Sequence, residues 1–94
     1  MSSIRNLLTA SLTAAFVLVG AAARAETQHS IGIAQQNLAL VQGRALNAAQ
    51  SDLASKVRSF MDSAREAMRN ADWLRARSLA QKAEVLSQEL ADSL

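Results

Sequence analysis

Few side chains in this sequence could carry out acid–base, nucleophilic or metal chemistry. His29 is the only histidine, and Glu26 precedes it by one helical turn. One imidazole and one carboxylate fall short of the three or four protein ligands that zinc usually takes. The chain contains no cysteine, which excludes disulfides, thiol catalysis and thiolate metal sites. We therefore predict no metal site and no cofactor.

Two pairs of carboxylates could be considered for general acid–base catalysis. Asp62 and Glu66 lie one turn apart in a helical pattern, and Glu84 and Glu89 form the second pair. The first pair is interleaved with arginines, which is typical of surface ion pairing worth about 0.2–0.5 kcal/mol per pair. The sequence has no glycine-rich phosphate loop and no cofactor motif. We therefore predict no catalytic residue, no small-molecule substrate and no enzymatic activity.

Trp73 is the only tryptophan of the chain. Its place in the first turn of a predicted helix allows it to cover one end of a helical pair. Packing is the simpler interpretation. Because tryptophan is enriched among the residues that dominate protein–protein interfaces, contact with a partner is the alternative.

The first 25 residues have the three parts of a secretory signal peptide. Arg5 lies in a short polar start, and an apolar run from Leu7 to Val19 follows. Ala23 and Ala25 then supply the small side chains that signal peptidase requires one and three residues before its cut. We predict cleavage after Ala25, with a cut after Ala23 as the alternative. Residues 1–25 are then the signal peptide, and residues 26–94 are the mature domain.

Retention of this segment as a membrane anchor is the competing interpretation. A spanning helix needs about 20 strongly apolar residues, whereas the block over 7–23 is shorter and is diluted by hydroxyl side chains. Cleavage is therefore favoured. The compact, alanine-rich leader resembles bacterial export signals, which implies the periplasm as the destination.

The charge of the mature part argues against a nucleic-acid partner. Two of the ten basic residues precede the predicted cut and no acidic residue does, which leaves eight of each sign. Nucleic-acid binding requires a clustered surplus of lysine and arginine. The membrane is expected to be contacted only through the signal peptide, unless the signal peptide is retained.

The mature part is predicted to be all-α, because it contains no proline and consists mostly of good helix formers. One apolar stripe recurs every three or four residues: Leu38, Val41, Ala45, Ala49, Leu53, Val57, Phe60, Ala64, Met68 and Ala71. Since its phase is continuous, we predict one long helix over about 30–70, with a bend near Gln50 as the alternative.

A boundary is predicted at residues 70–72, where Asn70 tolerates the left-handed conformation and Asp72 is a suitable N-cap. A second helix over about 72–92 then follows. Its predicted buried face comprises Ala76, Leu79, Ala80, Ala83, Leu86 and Leu90. The short link makes the two helices an antiparallel hairpin.

The predicted hairpin has a weak core, because its facing stripes are rich in alanine and contain few large apolar side chains. If the long helix is straight, Ile31, Leu38, Val41 and Leu46 extend past the second helix and lack partners within the chain. Self-association or a protein partner would then complete the core. The candidate partner contacts are Leu38, Val41, Leu46 and Trp73.

Residues 60–83 resemble a single tetratricopeptide-type helical hairpin. The turn Asp72-Trp73 leads into a helix whose small residues Ala76, Ala80 and Ala83 fall at the family's spacing, with Phe60 and Ala64 in the preceding helix. The sequence departs from the family at Ser63 and Ala67, and no proline closes the unit. In size and in its predicted export the chain also resembles small, uncharacterised exported bacterial helical proteins, which implies no known activity.

The function predicted from the sequence is that of an exported helical interaction module, adaptor- or chaperone-like, which binds a partner or itself through its Ala/Leu-rich stripe. The alternative is an amphipathic helical protein that lies on a membrane surface. Such helices have a basic polar face and bulky apolar residues. Here the polar face carries both signs of charge, so the interaction module is favoured.

Overall fold

The structure is a computed structural model that describes the backbone of residues 2–94 and the side chains of residues 20–94. These residues form three α-helices: α1 (Ser2–Ala39), α2 (Ala48–Arg69) and α3 (Trp73–Asp92). The prediction of an all-α chain is confirmed. The side chains of the predicted polar start and of the apolar run from Leu7 to Val19 lie outside the described residues.

The prediction of one long helix over 30–70 is wrong, because the chain turns between α1 and α2. Gly43 has a φ of +76°, a left-handed conformation that ends the helical path. Asn47 then caps α2: its side chain accepts from the Gln50 N–H at 2.8 Å, and the Gln50 side chain accepts from the Asn47 N–H at 3.0 Å. The break therefore precedes Gln50, the residue at which a bend was expected.

The two-helix hairpin is likewise replaced by a three-helix bundle. Gln50 near the start of α2 bonds Ser93 beyond the end of α3, so these two helices are antiparallel. Glu26 of α1 accepts a bond from Arg77 of α3, and Asn37, later in α1, bonds Ser87, later in α3. α1 and α3 are therefore parallel. α3 packs along both other helices, whereas α1 and α2 contact each other much less.

The predicted boundary between α2 and α3 is confirmed, although its details differ from expectation. Ala71, not Asn70, takes the left-handed conformation, with a φ of 56°. The Ala71 N–H donates to the Met68 carbonyl at 3.0 Å and the Asp72 N–H to the Ala67 carbonyl at 2.9 Å. These are the two bonds of a Schellman motif. The Asp72 side chain makes no capping bond to α3.

The core is built on small side chains. Five residues of α3 recur at steps of four and three and are fully buried at 0% exposure: Ala76, Ala80, Ala83, Ser87 and Leu90. We call this set the inner face of α3. Ala34 of α1 and Ala64 of α2 are also at 0% and belong to the same central cluster as Ala80 and Ala83. The predicted buried face is thus confirmed for its alanines and Leu90, with Leu79 and Leu86 half-buried.

Polar contacts follow the α1–α3 interface from one end to the other. Ser30 donates to Glu84 at 2.8 Å. Asn37 donates to the buried Ser87 hydroxyl at 3.1 Å, and Ser87 donates onward to the Glu84 carbonyl at 2.7 Å. A shift of α1 by one turn would leave Ser87 without the Asn37 bond, so these contacts select one register for the two helices.

In the part of the chain whose side chains are described, no helix combines the length and apolarity needed to cross a membrane.

Replacing Ala71 with glycine is expected to stabilise the fold by about 1 kcal/mol, because glycine adopts a positive φ without steric cost. Ala45 is also an exposed alanine, in the other interhelical turn, and its φ is not positive. Ala45→Gly should therefore destabilise the fold slightly. Urea unfolding followed by circular dichroism measures both free energies; equal effects of the two changes would contradict this interpretation of Ala71.

Replacing Ala80 with leucine is expected to destabilise the bundle by about 1–3 kcal/mol, because the inner face of α3 has no room for a larger side chain. Ser59 is exposed on α2, so Ser59→Leu should change the unfolding free energy by less than about 0.5 kcal/mol. If the two variants unfolded at the same urea concentration, α3 would not be closely packed at Ala80.

Candidate interaction surface

Three of the four predicted partner contacts are used inside the chain. Val41 is 4% exposed and clusters with Ala54 and Leu90, while Leu38 and Leu46 pack against that cluster. Ile31 is also buried. The expectation that these side chains lack partners within the chain is wrong. The turn between α1 and α2 places Val41 and Leu46 against the cluster that contains Leu90 near the end of α3, and Ile31 packs in the central cluster with Ala80 and Ala83. Their contact with another protein stays a prediction.

Trp73 is half-buried, and it is covered by α1. A Cβ atom placed on Gly20 would lie 3.3 Å from the Trp73 Cδ1 atom, so the two residues are in close contact. The Arg24 guanidinium lies 5.8 Å from the centre of the indole ring, within cation–π range. In the uncut chain Trp73 therefore packs against α1, and the residues that cover it precede the predicted cleavage point.

The two residues predicted for the signal-peptidase site lie within the continuous helix α1. Ala25 is exposed, whereas Ala23 is 2% exposed and its carbonyl accepts from the Thr27 hydroxyl at 2.7 Å. A protease that binds these side chains in an extended conformation needs this part of α1 to be unwound. Cleavage here would therefore have to precede folding of the bundle.

The side chains first considered for chemistry are dispersed. His29 is exposed, and Glu26 pairs with Arg77 at 3.3 Å. Asp62 pairs with Arg65 at 3.6 Å. Within residues 20–94, no three histidine, aspartate or glutamate side chains form a group that could hold a metal ion.

The exposed large apolar side chains lie elsewhere, and two of them are on α3. Leu74 is 59% exposed and Val85 is 64% exposed. They belong to a line of exposed residues on α3 that recur at steps of four and three. We call this line the outer strip: Leu74, Ser78, Gln81, Val85, Gln88 and Asp92.

The charges of α3 are separated along its length. Its first half carries the basic residues Arg75, Arg77 and Lys82, and its second half carries the acidic residues Glu84, Glu89 and Asp92. This order opposes the helix macrodipole, which favours acidic side chains at the N-terminus and basic ones at the C-terminus. The separation is therefore not explained by the stability of α3 itself.

An open groove between α2 and α3 lies beside Val85. Phe60, Gln81 and Leu86 are among its lining residues. The Lys82 ammonium lies 5.7 Å from the centre of the Phe60 ring. The surface around Val85 thus combines a projecting apolar side chain with an apolar recess.

Leu74 and Val85 were not among the contacts predicted from sequence. Their positions in the helical repeat could have identified them. Neither residue falls on the period of the inner face, and an apolar residue off that period must face solvent or another molecule.

Comparison of the chain with family models, with curated proteins and with solved structures finds no match in any of the three. The resemblance of residues 60–83 to one tetratricopeptide-type unit stays a prediction.

Replacing Arg24 with alanine in the uncut chain is expected to expose the indole of Trp73, the only tryptophan, and to cost about 0.5–1 kcal/mol of stability. Acrylamide quenching of Trp73 fluorescence should increase. Arg44 is exposed in the turn after α1, so Arg44→Ala is the matched control and should leave quenching unchanged. Unchanged quenching in the Arg24 variant would contradict the contact with α1.

Proposed function

We propose that the chain is an exported, non-enzymatic helical interaction module that acts in the bacterial periplasm after removal of residues 1–25. Its role is that of an adaptor or chaperone-like protein. It engages an amphipathic helix of a partner protein through the first turn of α3.

The contact between α1 and Trp73 supports this proposal. A cut after Ala25 removes Gly20 and Arg24, and with them the atoms that cover the indole. Trp73 then adjoins Leu74, which is already 59% exposed. Processing would thus leave Trp73 uncovered next to Leu74, and tryptophan is a residue type enriched in interface hot spots.

The charges near this patch indicate the kind of helix that would bind. Arg75 is exposed beside Leu74, and Arg77 lies one turn further along. Glu26, the ion-pair partner of Arg77, would become the new N-terminal residue. A partner helix with acidic side chains around one or two apolar anchors would complement this surface.

Export is tested by expressing the full chain with a C-terminal tag in a Gram-negative bacterium. We expect osmotic shock to release the tagged protein, with Glu26 as its first residue by intact mass. Replacing Ala23 and Ala25 with bulky residues should prevent the cut, while replacing Ala21 and Ala22 should not. A tagged protein that stays in the cytoplasm with its N-terminus intact would contradict the proposal.

Partner binding is tested in the same cells with a photo-crosslinking amino acid at position 74. We expect a discrete adduct to a second protein, identified by mass spectrometry, and no adduct from position 59 on the exposed side of α2. Crosslinking to lipid instead would favour the membrane-surface alternative. The absence of any adduct at position 74 would contradict an interaction through this end of α3.

A further inference from the structure

The outer strip of α3 has the geometry of a second helix-packing seam. Steps of four and three residues are those by which one helix presents a line of side chains to another. The inner face of α3 has this spacing and is fully buried within the bundle. The outer strip has the same spacing and is exposed along its whole length. α3 therefore presents a second line of side chains at this spacing, which the bundle leaves uncovered.

The separated charges of α3 indicate which helix fits the second side. A copy of α3 aligned in parallel would place basic half against basic half and acidic half against acidic half. A copy aligned antiparallel brings Arg75 near Glu89 of the second copy, and a two-fold axis repeats that pair. Opposite charges across the contact then offset the unfavourable order of charge within each helix.

The shape around Val85 suits the same arrangement. A two-fold axis through the middle of α3, near Ala83, places Val85 of each copy over the recess lined by Gln81, Phe60 and Leu86 of the other. The two Lys82 side chains approach the axis as well. Each also lines the recess of its own copy, with its ammonium 5.7 Å from the centre of the Phe60 ring.

We infer that the chain self-associates as a two-fold, antiparallel dimer through the outer strip of α3. This inference rests on the proposed function as an interaction module and names a second copy as one of its partners. The strip offers only Leu74 and Val85 as large exposed apolar side chains. The contact is therefore small and belongs to the weak, transient class of interfaces.

Sedimentation velocity of the purified full chain, from about 1 µM to about 1 mM, tests the association. We expect a concentration-dependent shift from monomer to dimer. Val85→Glu should weaken dimerisation by roughly tenfold or more, because it places two carboxylates at the centre of the contact. Ser59→Glu, which adds the same charge on α2, should not. Since Val85 is 64% exposed, helicity should be unchanged in both variants.

Charge reversal tests the orientation. Arg75→Glu and Glu89→Arg should each weaken self-association, because each places like charges opposite one another in an antiparallel pair. A mixture of the two variants should associate again, since every cross-chain pair is then opposite in sign. Failure of the mixture to associate would overturn the antiparallel arrangement.

The cysteine-free chain allows a direct test of register. Ser78→Cys mixed with Gln88→Cys should form an intermolecular disulfide, whereas Ser78→Cys alone should not. A disulfide from Ser78→Cys alone would show a parallel pair and overturn the inference. A wild-type chain that stays monomeric over the whole concentration range would also overturn it.

The dimer and the proposed function fail in different ways. If the purified chain is monomeric but still forms a position-74 adduct with another protein, the dimer is contradicted and the proposed function is supported. If the chain is not exported but dimerises in solution, the dimer is supported and the proposed function is contradicted.

Discussion

The close approach of α3 to two helices at once is the constraint on which the rest of the structure depends. α1 and α2 pack along α3 while touching each other little, so α3 must present small side chains to both. Its inner face does so with three fully buried alanines and Ser87, and only Leu90 at the far end is large. Small side chains bring helix backbones close together, at the expense of buried apolar area.

The small residues of the inner face affect how the register of α1 on α3 is determined. Successive alanines on the inner face of α3 offer little difference in shape by which one register is distinguished from the next. The polar contacts of α1 with Arg77, Glu84 and Ser87 supply that selection, because each joins one side chain to one partner. The small side chains of α3 thus allow close packing, and hydrogen bonds with α1 select the register.

Much of the secondary structure could be predicted from sequence, because helix propensity and apolar period act locally. The α-helical class, the turn at residues 70–72 and the buried alanines of α3 followed from those patterns. The turn at residues 40–47 did not, since the apolar stripe keeps its phase across it. The signals that end the helix there are single residues, the left-handed Gly43 and the capping pair of Asn47 and Gln50.

The candidate surface was predictable only in part, because exposure depends on which helices pair. A long straight helix would leave Leu38, Val41 and Leu46 uncovered. In the bundle Val41 is buried beside Leu90, and Leu38 and Leu46 pack against the same cluster. Trp73 was identified from its residue type, but its cover by Gly20 depends on the parallel packing of α1. That packing is a contact between residues more than 50 positions apart, which no local pattern contains.

The parallel packing of α1 on α3 is tested most directly by the distance between two exposed positions, Gln28 and Ser78. Spin labels on cysteines at these positions, in chains diluted with unlabelled protein, report that distance by double electron–electron resonance. The bundle predicts a short distance, smaller than the one between Gln28 and Gln88. An unbroken helix between residues 28 and 70 would instead separate its ends by roughly 60 Å, and a separation of that size would contradict the three-helix fold.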